Sequence, residues 1–325
     1  MIQIGIVGGT GYVAGELIRI LINHPEVKID FVYSHTQAGK KAYSVHEDLF
    51  AHPEIEFTDS ITENVDVVFL CLGHGHSTQF LAENIFSEKT KIIDLSNDFR
   101  TKENDRFEQR KFDYGLVEMN REILRQSDNI ANPGCFATAI QLGLLPLAKK
   151  QLLNSSIHIQ GITGSTGAGR TLSETTHFNW RNNNISVYKA FTHQHLTEIR
   201  ESLQSCQPGF NQELNFIPIR GDFTRGILSS MYMDCALTQA ELIRLYQDFY
   251  ADKTFTHVSE SPINLKQVVN TNYCLIHIEK HGNKAFIVSA IDNLLKGASG
   301  QAVENMNLMF GLAPDTGLLF KPTYF

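Results

Sequence analysis

The chain lacks most of the features that would place it outside the ordinary enzymes. No uninterrupted apolar run approaches the roughly 18 residues that a membrane-spanning helix needs. Its five cysteines, Cys71, Cys135, Cys206, Cys235 and Cys274, are odd in number and never closer than 29 positions, which excludes a disulfide framework and C-x-x-C zinc pairs. Positive charge is in deficit, with 28 Lys plus Arg against 35 Asp plus Glu and a net charge of −7, and neither sign gathers into a block. That argues against a binder of phosphate backbones. Proline is scarce, at 9 residues, and the 23 glycines follow no period, so collagen-like and disordered classes are excluded. The opening Met1-Ile-Gln-Ile-Gly-Ile-Val-Gly-Gly has neither the basic segment nor the long apolar stretch of a signal peptide. The expectation is a cytoplasmic protein in a reducing compartment, complete from residue 1.

What remains is globular. At 325 residues and 42% hydrophobic composition the chain can bury a large core, and its length favours two domains of ordinary size or one large domain with an insertion. Ile2 to Val7 reads as a β-branched strand that runs into Gly8-Gly9-Thr10-Gly11-Tyr12-Val13-Ala14-Gly15 and then the helical pattern Leu17, Ile18, Leu21. His24-Pro25 stops that helix and Val27 to Tyr33 reads as a second strand, completing a βαβ unit. Val65 to Leu72 and Lys91 to Leu95 are further strands, with Gly73-His74-Gly75-His76-Ser77 and a helix to about Phe86 between them. This alternation predicts a doubly wound α/β domain of Rossmann type.

After residue 135 the pattern changes. A long apolar helix, Phe136 to Leu153, precedes strands at Ile157 to Thr163, Leu214 to Ile219, Gly226 to Ala236, Tyr273 to Glu279 and Lys284 to Ile291. The last two are joined by His281-Gly282-Asn283, a hairpin turn. Thr238-Gln-Ala-Glu241 has the spacing of a capping box and opens a helix to about Tyr250, and a last helical pattern runs from Ala298 to Phe310. Successive strands with helices on one face predict a second, α+β domain with a mainly antiparallel sheet.

Gly8, Gly11 and Ala14 fit G-x-x-G-x-x-A between a strand and a helix, where a bare backbone lets a pyrophosphate approach the unpaired N–H groups of the helix start. Gly8, Thr10, Gly11, Tyr12 and Val13 are therefore candidate cofactor-binding residues, joined by Gly73, which follows the carboxyl end of a parallel strand. An NAD site would carry an acid at the end of the second strand, whereas this end reads Tyr33-Ser34-His35-Thr36 with Lys40 and Lys41 behind it and no acid until Glu47. Ser34 and these cations favour NADP, whose 2′-phosphate an acid would repel.

Asn132-Pro133-Gly134-Cys135 puts a thiol at the start of the long helix, in the field that favours thiolate, with Pro133-Gly134 read as a sharp turn into it. A thiol nucleophile following a dinucleotide fold suggests thioester chemistry coupled to hydride transfer.

These segments resemble the N-acetyl-gamma-glutamyl-phosphate reductase family of the arginine pathway, within the semialdehyde dehydrogenase superfamily. The resemblance rests on Gly8 to Tyr12 with Glu16-Leu17, Ile93-Asp-Leu-Ser-Asn-Asp-Phe-Arg100, Tyr114-Gly-Leu, Ala131-Asn-Pro-Gly-Cys135, Thr166-Gly-Ala-Gly-Arg170, His193-Gln-His195 with Glu198-Ile199, and Asp292-Asn-Leu-Leu-Lys-Gly-Ala-Ser-Gly-Gln301. It implies Cys135 as the nucleophile that takes an acyl group from phosphate, His195 as the acid/base, Glu198 as its orienting carboxylate, and His193 in substrate or phosphate contact. Asn132 joins the substrate residues, and Arg170 and Arg225 are candidates to pair with a substrate carboxylate or phosphate. Ser165 to Gly169, with Ser165 and Gly167 foremost, is expected to offer backbone N–H groups to cofactor or phosphate, and Asn293 to line the nicotinamide side. The implied substrates are an N-acyl-gamma-glutamyl phosphate and inorganic phosphate, with no metal, no nucleic acid and no membrane, in a homodimer or homotetramer. The expected division is 1–134 plus 298–325 for the dinucleotide and 135–297 for catalysis, substrate and oligomerisation.

Two segments depart from the family pattern. Phe216-Ile-Pro-Ile-Arg220 replaces Phe-x-Pro-His-Leu, and Thr192-His-Gln-His195 replaces Gly-His-Arg-His. Both lie in the substrate half and leave the acyl group open, since an N-succinyl substrate would present a carboxylate that Arg220 could meet. The competing readings are a dehydrogenase for aspartyl or N-acyl-aminoadipyl phosphate, a metallohydrolase with zinc on His74-x-His76 and His193-x-His195, and a cofactor sensor without catalysis.

Overall fold

The structure is a computed structural model and describes residues 1–324. The chain divides into two compact units, Met1–Pro133 with Ala298–Leu319, and Gly134–Gly297 with Phe320–Phe325. Among the described residues no helix is long and apolar enough to cross a membrane.

In the first unit, strands β1 (Ile2–Val7), β2 (Val27–Tyr33), β3 (Phe57–Thr58), β4 (Val67–Leu70) and β5 (Lys91–Asp94) alternate with helices α1 (Tyr12–Leu21) and α2 (His76–Glu83). A small hairpin, β6 (Arg106–Phe107) and β7 (Arg110–Lys111), precedes β8 (Asp113–Tyr114), α3 (Val117–Leu124) and β9 (Asn129–Ala131). The sheet order is β3-β2-β1-β4-β5-β9-β8, and its pairings are parallel. β1 and β4 are apolar nearly end to end because a parallel sheet is covered on both faces. Val7, Val68, Leu70, Phe80, Ile92, Phe99 and Phe112 form one core cluster, in which the Phe99 and Phe112 rings stack at 4.1 Å.

The second unit begins with α4 (Cys135–Lys149), buried on all sides from Phe136 to Ala148. Then come β10 (Ile157–Thr163), α5 (Phe178–Arg181), β11 (Ser186–Val187), α6 (His195–Cys206), β12 (Leu214–Arg220), β13 (Ile227–Asp234), α7 (Gln239–Tyr250), β14 (Thr256–Ser259), β15 (Cys274–His281) and β16 (Lys284–Ile291). The expected capping box opens α7, with the Thr238 amide donating to Glu241 at 2.8 Å and the Glu241 amide donating back to the Thr238 hydroxyl at 3.3 Å. The hairpin between β15 and β16 turns on Gly282 at φ 56°. The sheet order is β11-β12-β10-β13-β16-β15-β14.

This sheet is mixed, more so than its strand succession suggests. β10 pairs parallel with β12 and β14 parallel with β15, while the other pairings are antiparallel. The parallel pairs arise because segments containing a helix or a long loop separate those strands, which lets the chain return in the same direction. The C-terminal helical pattern also divides, into a π-helical turn at Leu295–Ser299 and α8 (Gly300–Met309), which belongs to the first unit from Ala298 onward.

Candidate active site

In the second unit two buried side chains converge on the residue that precedes the thiol. Cys135 is the first residue of α4 and is half-buried. His195 opens α6, with Glu198 one turn further on, and both are nearly fully buried. α4 and α6 pack against each other. Their meeting point is Gly134: a methyl group there would collide with His195 Nε2 and would lie 2.6 Å from Glu198 Oε1. Glu198 Oε2 accepts the Gly134 amide at 3.1 Å, and the Gln141 amide group donates to the Glu198 carbonyl at 3.2 Å. The Gly134 bond leaves the other carboxylate oxygen 3.9 Å from His195 Nε2. That distance is within electrostatic reach and longer than a hydrogen bond.

Gly134 corrects one expectation. Its backbone is extended, at φ −69° and ψ 150°, so it makes no sharp turn that demands glycine. What requires glycine is space for His195 and Glu198. Gly297 is likewise packed against Cys135, since a methyl group there would lie 2.8 Å from Cys135 Cβ.

His193 is buried among the rings of Phe136, Tyr188, His195 and Phe216, and its Nδ1 accepts the His195 amide at 3.2 Å. It shapes the start of α6 as well as facing its neighbours. Tyr188, which the sequence did not single out, belongs to the same cluster. Burial first, and then the negative charge of a Cys135 thiolate, push its hydroxyl up to about 12, so it stays protonated at neutral pH. The Arg220 guanidinium lies 4.6 Å over the Tyr188 ring, which brings the departure from the family pattern into this cluster.

The remaining candidates of the second unit are tied more closely to the framework. Arg225 makes a two-pronged ion pair with the buried Asp292, at 3.1 and 3.2 Å. Asn293 accepts the Gly226 amide at 2.6 Å and donates to the Thr166 hydroxyl at 3.0 Å. Arg170 is exposed, next to Gly169 at φ 78°. Within the turn expected to offer N–H groups, the amides of Ser165, Thr166, Gly167 and Gly169 donate to the carbonyls of Phe223, Thr224, Gly164 and Thr166.

In the first unit the glycine turn leaves room for a ligand. Gly8 needs its left-handed conformation, φ 82°, and its amide and that of Gly9 both donate to the Tyr33 carbonyl. Gly11 is different: a methyl group there would meet nothing of the protein closer than the Gly8 carbonyl at 3.8 Å. Packing therefore does not demand this glycine. An open cradle lies beside the first turn of α1, where the amides of Tyr12, Val13 and Ala14 have no acceptor within the helix. These residues fit a dinucleotide pyrophosphate, with Thr10 in the same turn.

Behind the turn, Ser34 is buried and its amide donates to the Thr58 carbonyl at 2.9 Å. The expectation of unopposed cations is corrected for Lys41, because an antiparallel bridge returns Glu56 to it and their side chains pair at 2.8 Å. Lys40 donates to Gln37 at 3.1 Å. The Gly73 turn is held by two carboxylates. Asp94 accepts the hydroxyls of Ser77 and Ser96 at 2.6 and 2.8 Å, and burial raises it to about 6 against those hydrogen bonds. Burial also raises Asp98, but the amides of Thr78 and Gly75 outweigh it and leave that carboxyl lowered.

Asn132 is secured on both edges, donating to the Ala298 carbonyl at 3.1 Å and accepting from Asn305 at 3.2 Å. Among the described residues no group of three His, Cys, Asp or Glu side chains is placed to hold a metal, and no disulfide joins the cysteines.

Known proteins share both units. The family described as "Semialdehyde dehydrogenase, NAD binding domain" matches residues 3–127, and "Semialdehyde dehydrogenase, dimerisation domain" matches residues 135–293. Curated proteins named N-acetyl-gamma-glutamyl-phosphate reductase match over the whole of both chains, at 57% identity in Christiangramia forsetii, 58% in Flavobacterium johnsoniae and 54% in Phocaeicola vulgatus. The chain belongs to the N-acetyl-gamma-glutamyl-phosphate reductase family. Like that family, it is an oxidoreductase of the semialdehyde dehydrogenase kind, and its cofactor is a nicotinamide dinucleotide. Solved structures of aspartate semialdehyde dehydrogenases share its fold. One is enzyme II from Vibrio cholerae complexed with ASA, with a TM-score of 0.73 at 15% identity over 96% of this chain and 98% of that one. Another, with NADP, is from Candida albicans, with a TM-score of 0.69 at 15% identity over 95% and 98%.

Proposed function

We propose that the chain carries out the NADPH-dependent reductive dephosphorylation of an N-acyl-gamma-glutamyl phosphate to the N-acyl-glutamate 5-semialdehyde, in arginine biosynthesis, through a thioester on Cys135. The observation that supports this most is the packing of a buried imidazole and a buried carboxylate against Gly134, the residue before a helix-start thiol. A thiol at the first position of α4 lies in the positive end of that helix, which favours thiolate. Its sulfur attacks the acyl carbon, the bond to the phosphate oxygen breaks, and inorganic phosphate leaves. Held by the Gly8 to Val13 turn, NADPH would supply the hydride that reduces the thioester carbon. His195 delivers a proton to the oxygen of that adduct and recovers it as the carbon–sulfur bond breaks to release the aldehyde. Glu198 steadies the imidazolium form. His193, Asn132, Arg170 and Arg225 are assigned to substrate and its surroundings, and the Gly8 to Val13 turn, Ser34, Gly73, Ser165, Gly167 and Asn293 to the cofactor.

NADP is preferred to NAD because Ser34, in place of an acid, follows β2. A homodimer or homotetramer is the working assembly, supported by the family description of the second unit and by the exposed Ile185, Val187, Phe191 and Tyr232 there. The expected location is the cytoplasm. The test is phosphate-dependent oxidation of N-acetyl- and N-succinyl-glutamate semialdehydes and of aspartate semialdehyde, each with NADP and with NAD. An N-acyl-glutamate semialdehyde with NADP is expected to give the highest kcat/KM. Preference for aspartate semialdehyde would overturn the assignment. Preference for the succinyl compound that is lost in Arg220→Leu would set the acyl group.

A further inference from the structure

The glycine turn is gripped from a second side by a residue that no motif marks. His46, 37 positions beyond Gly9, reaches back so that its Nε2 lies 2.7 Å from the Gly9 carbonyl oxygen in a buried contact. A carbonyl only accepts, so Nε2 is the donor. The imidazole is itself held: its backbone amide donates to the Ala42 carbonyl at 2.9 Å, and its ring lies 6.4 Å from that of Phe57. The adjoining Nδ1–Cε1 edge of the ring rests on α1 at Gly15, where a methyl group would lie 2.7 Å from Nδ1 and 2.8 Å from Cε1. Glycine inside a helix is less favourable than alanine, so Gly15 calls for a reason, and the ring supplies it.

Gly9 is thus tied by both of its backbone groups, its amide to the Tyr33 carbonyl at 2.9 Å and its carbonyl to His46. We propose that His46 is a positioning residue for the cofactor. Its hydrogen bond fixes the turn in the form that opens the cradle at Gly11 and presents the first amides of α1, and Gly15 is glycine in order to admit the ring. The same contact joins the turn, which faces the pyrophosphate, to the 34–57 segment, which carries Ser34 and Lys40 toward the 2′-phosphate. This rests on the dinucleotide reading of the turn. It adds a residue whose loss weakens cofactor binding without touching the acyl chemistry.

The experiment compares wild type, His46→Ala, His46→Gln, Gly15→Ala and the His46→Ala/Gly15→Ala double variant. The readouts are the NADPH dissociation constant from nicotinamide fluorescence, kcat and KM for each substrate, and the midpoint of thermal unfolding without cofactor. His46→Ala is expected to raise the NADPH dissociation constant and KM about tenfold, as loss of a buried hydrogen bond does, with kcat at saturation and the acyl-substrate KM changed less than about twofold. His46→Gln keeps an N–H donor and should recover part of the loss. Gly15→Ala should weaken binding similarly by displacing the ring, and should add little in the His46→Ala background, because the two act through one contact. An unchanged dissociation constant in His46→Ala beside a lowered unfolding midpoint would make the residue merely structural and overturn the proposal, as would fully additive single variants. A wild-type protein that binds neither NADPH nor NADH would overturn the cofactor reading itself.

Discussion

Gly11 and Gly134 are both glycines at the start of a helix, and they are glycine for opposite reasons. At Gly11 the protein leaves the space empty, with nothing nearer than 3.8 Å to a methyl group placed there. At Gly134 the protein fills it with His195 and Glu198. The first space is open to a ligand, and the second is taken by side chains already present. The contrast separates the two tasks of a dehydrogenase, since binding a cofactor needs exposed donors and acid/base work needs groups packed where water is scarce.

The largest effect that would sharpen the contrast is at the thiol itself. Cys135→Ser should lower turnover by a factor on the order of 10⁴ or more, because a serine hydroxyl at neutral pH is a far weaker nucleophile than a thiolate. NADPH binding by fluorescence should survive, and substrate should protect the wild-type thiol from alkylation. Full activity in this variant would remove the thioester from the mechanism. Next comes His195→Asn, expected to cost about 10² to 10⁴ in kcat and to erase one limb of the pH–rate profile. His193 replacement should act mainly through KM, and the reverse pattern would exchange the two roles.

Alanine at the two glycines tests the comparison directly. Gly134→Ala forces His195 and Glu198 apart, and a displacement of about 1 Å in such a group costs roughly 10²-fold, so kcat should fall while the NADPH dissociation constant holds. Gly11→Ala should do the reverse. Its methyl group occupies only the cradle, and cofactor KM should rise about tenfold with kcat at saturation preserved. If both variants moved the same kinetic constant, the division of labour drawn from their surroundings would fail.

The sequence disclosed this organisation unevenly. β1, β2, β10 and β16 fall on the expected residues because their apolar runs are long and bounded by glycine, proline or a tight turn. The capping box of α7 is local chemistry and was equally readable. The helix α6 is not among the expected elements, although Leu196, Ile199 and Leu203 give it an apolar stripe. β9 and β14, at three and four residues, are too short to show a period. In the site, Cys135, His193, His195 and Glu198 were visible as residue types, whereas the reason for Gly134, the packing of Tyr188 and the reach of His46 depend on contacts between distant positions. The same holds for the Lys41 to Glu56 pair, which only the returning backbone brings together.

The smallest expected effect concerns the end of β2. A carboxylate there would accept the ribose hydroxyls of NAD and repel a 2′-phosphate. The chain has Ser34 instead, with Lys40 nearby and Lys41 partly offset by Glu56 through an exposed ion pair, which is worth little. The preference for NADP should therefore be moderate and rest on the hydroxyl and on one cation more than on two. It should show mostly in KM, because the 2′-phosphate is remote from the transferred hydride and contributes equally to ground and transition states. Ser34→Asp should move the ratio of kcat/KM toward NAD by about tenfold, and Glu56→Gln, which releases Lys41, should move it slightly toward NADP. Measuring both ratios in one buffer at fixed ionic strength decides the matter. An unchanged ratio in Ser34→Asp would mean that selection occurs elsewhere in the 34–57 segment, and a shift toward NAD in Glu56→Gln would mean that Lys41 does not face the phosphate.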